Sequence, residues 1–185
     1  MTRTIPRLSL PVALLVSLGI VAAIAALMFW MGRLPICKCG YIKLWHGGRG
    51  DSEISQHLAD WYTYSHVLHG VIFYFLLWFV FRGRLSVAAR LVIATLIEGA
   101  WELFENTPFI INRYQDGGAA TYTGDSIINS IGDLLAMMTG FGLTALLPVW
   151  ATAALFVATE VTLYILIKNG FLLDFLGLLR GFLRI

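Results

Sequence analysis

Three apolar stretches of the chain each carry ionisable or amide side chains at helical spacing. The first holds His66 and His69, the second Glu98, Glu102 and Glu105, and the third Asp125, Asn129 and Asp133. Imidazole and carboxylate together can bind zinc, manganese or iron and leave positions for water or substrate. Crowded carboxylates also raise one another's pKa values, which suits proton relay or general acid–base work. A polar pocket of this kind at a membrane interface would also seat a lipid headgroup. The plainer alternative is a hydrogen-bonded network that only fixes helix packing, with acids protonated or paired to His and Arg113. Ionisable groups inside a bilayer are costly unless paired or functional, and this chain keeps at least seven in its apolar segments.

The spacing groups them. At about 100° per residue, Glu98, Glu102 and Glu105 fall within roughly 60° of arc, and Asp125, Asn129 and Asp133 within roughly 80°. Gly132, Ala136 and Gly140 lie on the same stripe, where small residues let another backbone approach. His66 and His69 are i,i+3 neighbours. The expected roles follow from chemistry. His66, His69 and Glu98 would be ligands of a divalent transition metal. Glu102, Glu105 and Asp125 would be acid–base groups. Asn106, Asn129, Asp133 and Arg113 would bind substrate or a headgroup, with Asn106 equally suited to cap a helix. Glu160 would join this cluster or bind elsewhere, and Arg90 would snorkel to the interface.

The elements that must position these groups are transmembrane helices. Of 185 residues, 58% are hydrophobic and 13% charged, whereas soluble domains carry about a quarter charged. The apolar residues come in long runs, so the chain reads as an all-α, multi-pass membrane protein in one domain, 1–185. Five helices are expected at 10–31, 64–81, 87–106, 125–147 and 149–168. A signal peptide is the rival for the first, because Ala23-Ile24-Ala25 resembles a cleavage site. The run continues to Met31, beyond a signal's usual length, so a retained helix is expected. Phe171 to Ile185 is too short to span and reads as an interfacial amphipathic tail. Residues 107–124 read as loop, with Pro108 ending the third helix.

Polar loop 32–63 carries four cations, Trp45, Trp61 and Tyr62, and a lead-in helix is expected over Ser55–Tyr62. The loop is a candidate surface for a membrane-protein partner. His46 and His57 read as surface histidines. Cys37 and Cys39 read as reduced or redox-labile thiols, a soft metal site with His46 being the remote alternative. Net charge +2, with no basic run, gives no footprint for nucleic acid. Arg3 and Arg7 ahead of the first helix favour an N-terminus inside the cell. Arg82 and Arg84 lie on that side too, although loop cations lean the other way. With either orientation, loop 32–63 and loop 107–124 share one membrane side, and so does the polar cluster.

Several blocks carry a family resemblance: Pro35-Ile36-Cys37-Lys38-Cys39-Gly40, Lys43-Leu44-Trp45-His46-Gly47, Ser65-His66-Val67-Leu68-His69-Gly70, Glu98 through Asn106, and Gly124 through Ser130. The chain resembles an uncharacterised family of small bacterial inner-membrane proteins of alphaproteobacterial type. That resemblance implies an inner-membrane location and carries no activity. More loosely, the order His, Glu, then Asp and Asn on successive helices is similar to VanZ-like proteins, which would imply an envelope role. Three functions remain in view. One is a metal-dependent site acting on or binding an envelope lipid. The others are a small proton-coupled carrier and a structural or assembly protein.

Overall fold

The computed structural model describes residues 8–81 and 84–183, with the backbone alone for 181–183. Arg3, Arg7, Arg82 and Arg184, which entered the charge balance and the tail, lie outside the described residues. All regular structure among the described residues is helical. The order is α1 Leu10–Trp30, α2 Thr63–Phe81, α3 Val87–Glu105, α4 Pro108–Asp116, α5 Ile127–Leu146, α6 Val149–Ile167 and α7 Phe171–Leu183. Helices α1, α2, α5 and α6 are long and apolar enough to cross a membrane. Helix α3 matches them at 19 residues but carries four charged side chains, of which Arg90, Glu98 and Glu102 are buried. The chain is therefore an all-α, multi-pass membrane protein.

Helix α5 is the centre of the bundle and touches α1, α2, α3 and α6. Its pairing with α2 is the most extensive. Gly140 of α5 lies against the Val67 carbonyl, and Gly70 of α2 lies against the Met137 carbonyl and the Phe141 amide. A Cβ at either glycine would overlap main chain, so close helix approach is built into both sequences. Two apolar clusters fill the remaining space. Val21, Ile24 and Met28 of α1 meet Ile127 and Leu134, while Leu77, Leu91 and Ala94 meet Met137 and Phe141.

Three expectations are corrected here. Residues 107–124 are not all loop: Pro108 ends α3 but also opens α4, since a missing N–H costs nothing in a helix's first turn. Helix α5 begins at Ile127, capped by the Ser126 hydroxyl, which accepts from the Asn129 amide, so Asp125 precedes the helix. Residues 55–62 form turns, not a lead-in helix, and Ser55 has φ 58°.

Loop 32–63 is a folded cap. Leu34 and Pro35 carbonyls accept from the Ile127 and Ile128 amides, and the Ser55 carbonyl accepts from Ser126. The first turn of α5 thus has its free N–H groups satisfied by this loop. Leu58 packs its carbonyl onto Gly132.

Candidate functional site

The tight α2–α5 pair and the neighbouring α3 bring the acids and imidazoles together. Glu98 is fully buried and sits between the two histidines. His66 Nδ1 donates to Glu98 Oε1 at 2.6 Å, and His69 Nδ1 reaches Oε1 and Oε2 at 2.9 and 3.0 Å. A carboxylate only accepts, so both Nδ1 atoms carry their proton. In the neutral rings each Nε2 keeps a free lone pair. His66 Nε2 faces Asp133 Oδ2 at 3.7 Å. The His69 ring is held edge-on by Trp101 and Phe171 and tilted against Phe73.

One helical turn along α3 lies Glu102, also fully buried, 3.5 Å from His66 Nδ1. Neither of its oxygens has a hydrogen-bond partner, nor has Asp133 Oδ1. Three buried acceptor oxygens without donors are unusual, because an unmet buried polar atom costs about 1–3 kcal/mol. Ligand atoms of His66, Glu102 and Glu105 lie within 4.8 Å of one another, the spacing of a shared cation. Tyr114 lines the same cavity as Glu105.

A second knot forms where α3 ends. Asn106 caps α3 and ties it to Asp125. Its Nδ2 donates to Asp125 Oδ2 at 2.7 Å, and its Oδ1 accepts from the Asp125 amide at 2.7 Å. Tyr122 donates to Asp125 Oδ1, and Arg33 donates to the Asp125 carbonyl. Burial pushes the Asp125 carboxyl above its ordinary range, against the pull of its Asn106 and Tyr122 partners. Asn129 turns away: its Nδ2 donates to the His57 carbonyl at 2.9 Å, fastening the loop to α5.

A cavity of about 1530 Å³ opens beside these groups. His66, His69, Glu105, Asp125 and Asp133 reach its wall, whereas Glu98, Glu102, Asn106 and Asn129 stand behind. Ile97, Trp101, Phe104, Phe171 and Phe175 supply apolar lining, and Arg113 also lines the cavity, with its guanidinium 5.6 Å from the Phe109 ring. Helix α7, the expected amphipathic tail, forms part of the wall. Glu160 is explained by it: its carboxylate accepts from the Phe171 and Leu172 amides and so caps α7, well suited to a helix N-terminus. Arg90 does not snorkel. It is buried, donates to the Tyr74 carbonyl and lies over the Tyr74 ring.

The sequence reading missed Tyr114, Tyr122 and Asp174. The tyrosines sat in a segment read as structureless, and their spacing from Glu105 carries no local signal. Asp174 had a signal, an acid in the first turn of the amphipathic tail. It accepts from Asn169, and burial pushes its carboxyl up to about 6. Asp60 was missed as well. It is buried and accepts from the Ser55 and Tyr62 amides.

The cap holds its own polar cluster, and both of its histidines are buried, contrary to expectation. His46, Glu53 and His57 lie at metal-ligand spacing, but Lys43 Nζ is already among them, 2.6 Å from Glu53 and 3.3 Å from His46 Nδ1. The ammonium serves as the cation there. Bonds from Lys43 and His57 hold the Glu53 carboxyl down at about 2. Cys37 and Cys39, expected as reduced or redox-labile thiols, form a disulfide. The imidazole beside their sulfurs is that of His57, not His46.

The family model described as "Protein of unknown function (DUF2585)" matches residues 28–185. A UPF0314 protein of Paracoccus denitrificans is 52% identical over 162 residues, covering 86% of this chain and 83% of its own. UPF0314 proteins of Rhizobium meliloti (48% identical, 89% and 84% covered) and Sphingopyxis alaskensis (42%, 89% and 87%) are similar along the same extent. No solved structure matches. The VanZ-like likeness finds no support in these matches. The chain therefore belongs to the DUF2585 family of uncharacterised alphaproteobacterial proteins.

Proposed function

We propose that this protein holds a divalent transition metal ion at the floor of the cavity and binds the polar head of an envelope lipid there. The observation that carries the reading is the set of three unpartnered buried oxygens, on Glu102 and Asp133, beside His66. Such atoms are satisfied by a cation at lower cost than by protonation and isolation. His66, Glu102, Glu105 and Asp133 supply the donors, a nitrogen and oxygen set suited to zinc, manganese or iron. Glu98 acts behind them. It holds both imidazoles by Nδ1, as carboxylates do for metal-binding histidines, and leaves Nε2 of each ring for a ligand. The bound ion would polarise a headgroup oxygen or a water.

The cavity supports the amphiphile. Its lining combines aromatic and aliphatic side chains with His69, Arg113 and Asp125, and it is larger than the roughly 300–1,000 Å³ of common small-molecule sites. Asn106 braces Asp125 from behind the cavity wall. We place the chain in the bacterial inner membrane with its N-terminus inside. The Cys37–Cys39 disulfide favours this, because it puts the cap on the oxidising side. Exposed Tyr41, Ile42 and Leu44 on that cap are the surface for any membrane-protein partner.

Lipid retained by detergent-purified protein tests the reading. Wild type is expected to carry one enriched lipid class, which His69→Ala and Glu102→Gln lose while remaining folded. Identical lipid profiles in all three proteins would reject it.

A further inference from the structure

The Cys37–Cys39 disulfide is unexplained by the cavity and does little for the fold. A cross-link restrains the unfolded chain in proportion to the logarithm of the loop it closes, and this one closes three residues. Its surroundings are asymmetric. Cys37 is buried at 5% exposure, while Cys39 is partly open and Lys38 between them is exposed. The Cys39 amide donates to Cys37 Sγ at 3.0 Å. That N–H donor stabilises a thiolate at Cys37. The neighbouring His57 ring adds no negative charge. Its Nδ1 accepts from the Lys43 amide and its Nε2 faces Glu53 at 2.9 Å.

We propose that Cys37–Cys39 is a redox-active pair that exchanges with thiols through Cys39. A thiolate of a small or protein dithiol attacks the accessible Cys39 Sγ. The Cys37–Cys39 bond breaks, a mixed disulfide forms on Cys39, and the electron pair leaves on Cys37 Sγ, where the Cys39 N–H holds it. The partner's second thiolate then attacks its own sulfur in the mixed disulfide and releases Cys39 as thiolate. Two electrons pass from the dithiol to the pair, and the dithiol becomes a disulfide. A more oxidising disulfide compound restores Cys37–Cys39 by the same displacements in reverse. This pair is attached to the site helix, since Leu34 and Pro35 bond the first amides of α5.

The test uses full-length protein in detergent, equilibrated in glutathione buffers and scored by alkylation and mass spectrometry. The pair is expected to pass from mostly oxidised to mostly reduced over about a hundredfold change in the glutathione ratio, as a two-electron couple does. Cys37→Ser is expected to accumulate the glutathione mixed disulfide at Cys39 several-fold faster than Cys39→Ser does at Cys37. A pair that stays oxidised in the most reducing glutathione buffer would overturn the proposal. So would equal or reversed trapping in the two single variants.

Discussion

Glu98 and Glu102 stand one turn apart on α3, both fully buried, yet isosteric substitution should move stability in opposite directions. Glu98 accepts from two imidazoles at 2.6, 2.9 and 3.0 Å. In Glu98→Gln one oxygen becomes an NH₂ that faces an imidazole N–H. A hydrogen bond to a charged group contributes about 1.5–3 kcal/mol, and leaving its buried partner unmet brings the loss to about 3–5 kcal/mol. In Glu102→Gln no hydrogen bond is lost, because neither oxygen has one. Replacing an unpartnered acid by an amide should be neutral or stabilise by up to about 2 kcal/mol. For a chain of this size, about 1 kcal/mol moves the melting temperature by roughly 2–4 °C. Thermal unfolding of chelator-treated, detergent-purified protein, followed by tryptophan fluorescence, should place Glu98→Gln roughly 6–20 °C below wild type on that same scale. Glu102→Gln should sit at or above wild type. Added metal should then raise wild type and leave Glu102→Gln where it was, by mass action on the folded state. Equal destabilisation by the two variants would show that Glu102 is bonded within a packing network, and the reasoning from its unmet oxygens would be refuted.

Other outcomes follow from the same geometry. Gly140→Ala should destabilise by about 1–3 kcal/mol, because its Cβ meets the Val67 main chain. Gly142→Ala, with open space around it, should stabilise by up to about 1 kcal/mol through helix propensity, and paired melting curves decide. Asp174 has a folded-state pKa of about 6 against an ordinary 3.8, because burial disfavours its charge. Its contribution to stability is therefore fully present below about pH 3.8 and lost as pH rises through 6. Hydrogen-exchange protection over 171–180, relative to the intrinsic rate at each pH, should fall across that window in wild type and stay level in Asp174→Asn. Replacing both Cys37 and Cys39 by serine should cost less than about 2 kcal/mol, because so short a loop gives little chain entropy; a larger loss in denaturant titration would assign the disulfide a structural role.

The spanning helices could be read from the chain because each is an apolar run of about twenty residues, and a bilayer leaves no other use for one. The meeting of His66, His69, Glu98, Glu102, Glu105 and Asp133 could be read from helical phase and from which loops share a side. Gly140 announced close approach before its partner, Val67, was known. The failures have a common physical cause. Helix α4 was missed because proline ends one helix and opens another with equal ease, and only the structure says which. Asp125 was taken as a helix-opening residue, whereas Ser126 supplies the cap and Asp125 is held from outside by Asn106 and Tyr122. Asn129, expected to bind substrate, has its amide donor engaged with a carbonyl 72 residues away. His46 and His57 are buried by a loop that folds back on itself around Lys43 and Glu53. Such long-range fastening leaves no trace in local spacing.

Elemental analysis of detergent-purified protein bears most directly on the cation at the cavity floor. Wild type should carry one equivalent of a transition metal, and His66→Ala and Glu102→Gln should each lose it, while Asn129→Ala retains it. Metal-free wild type that takes up no added zinc, manganese or iron, or equal metal content in wild type and Glu102→Gln, would contradict the assignment.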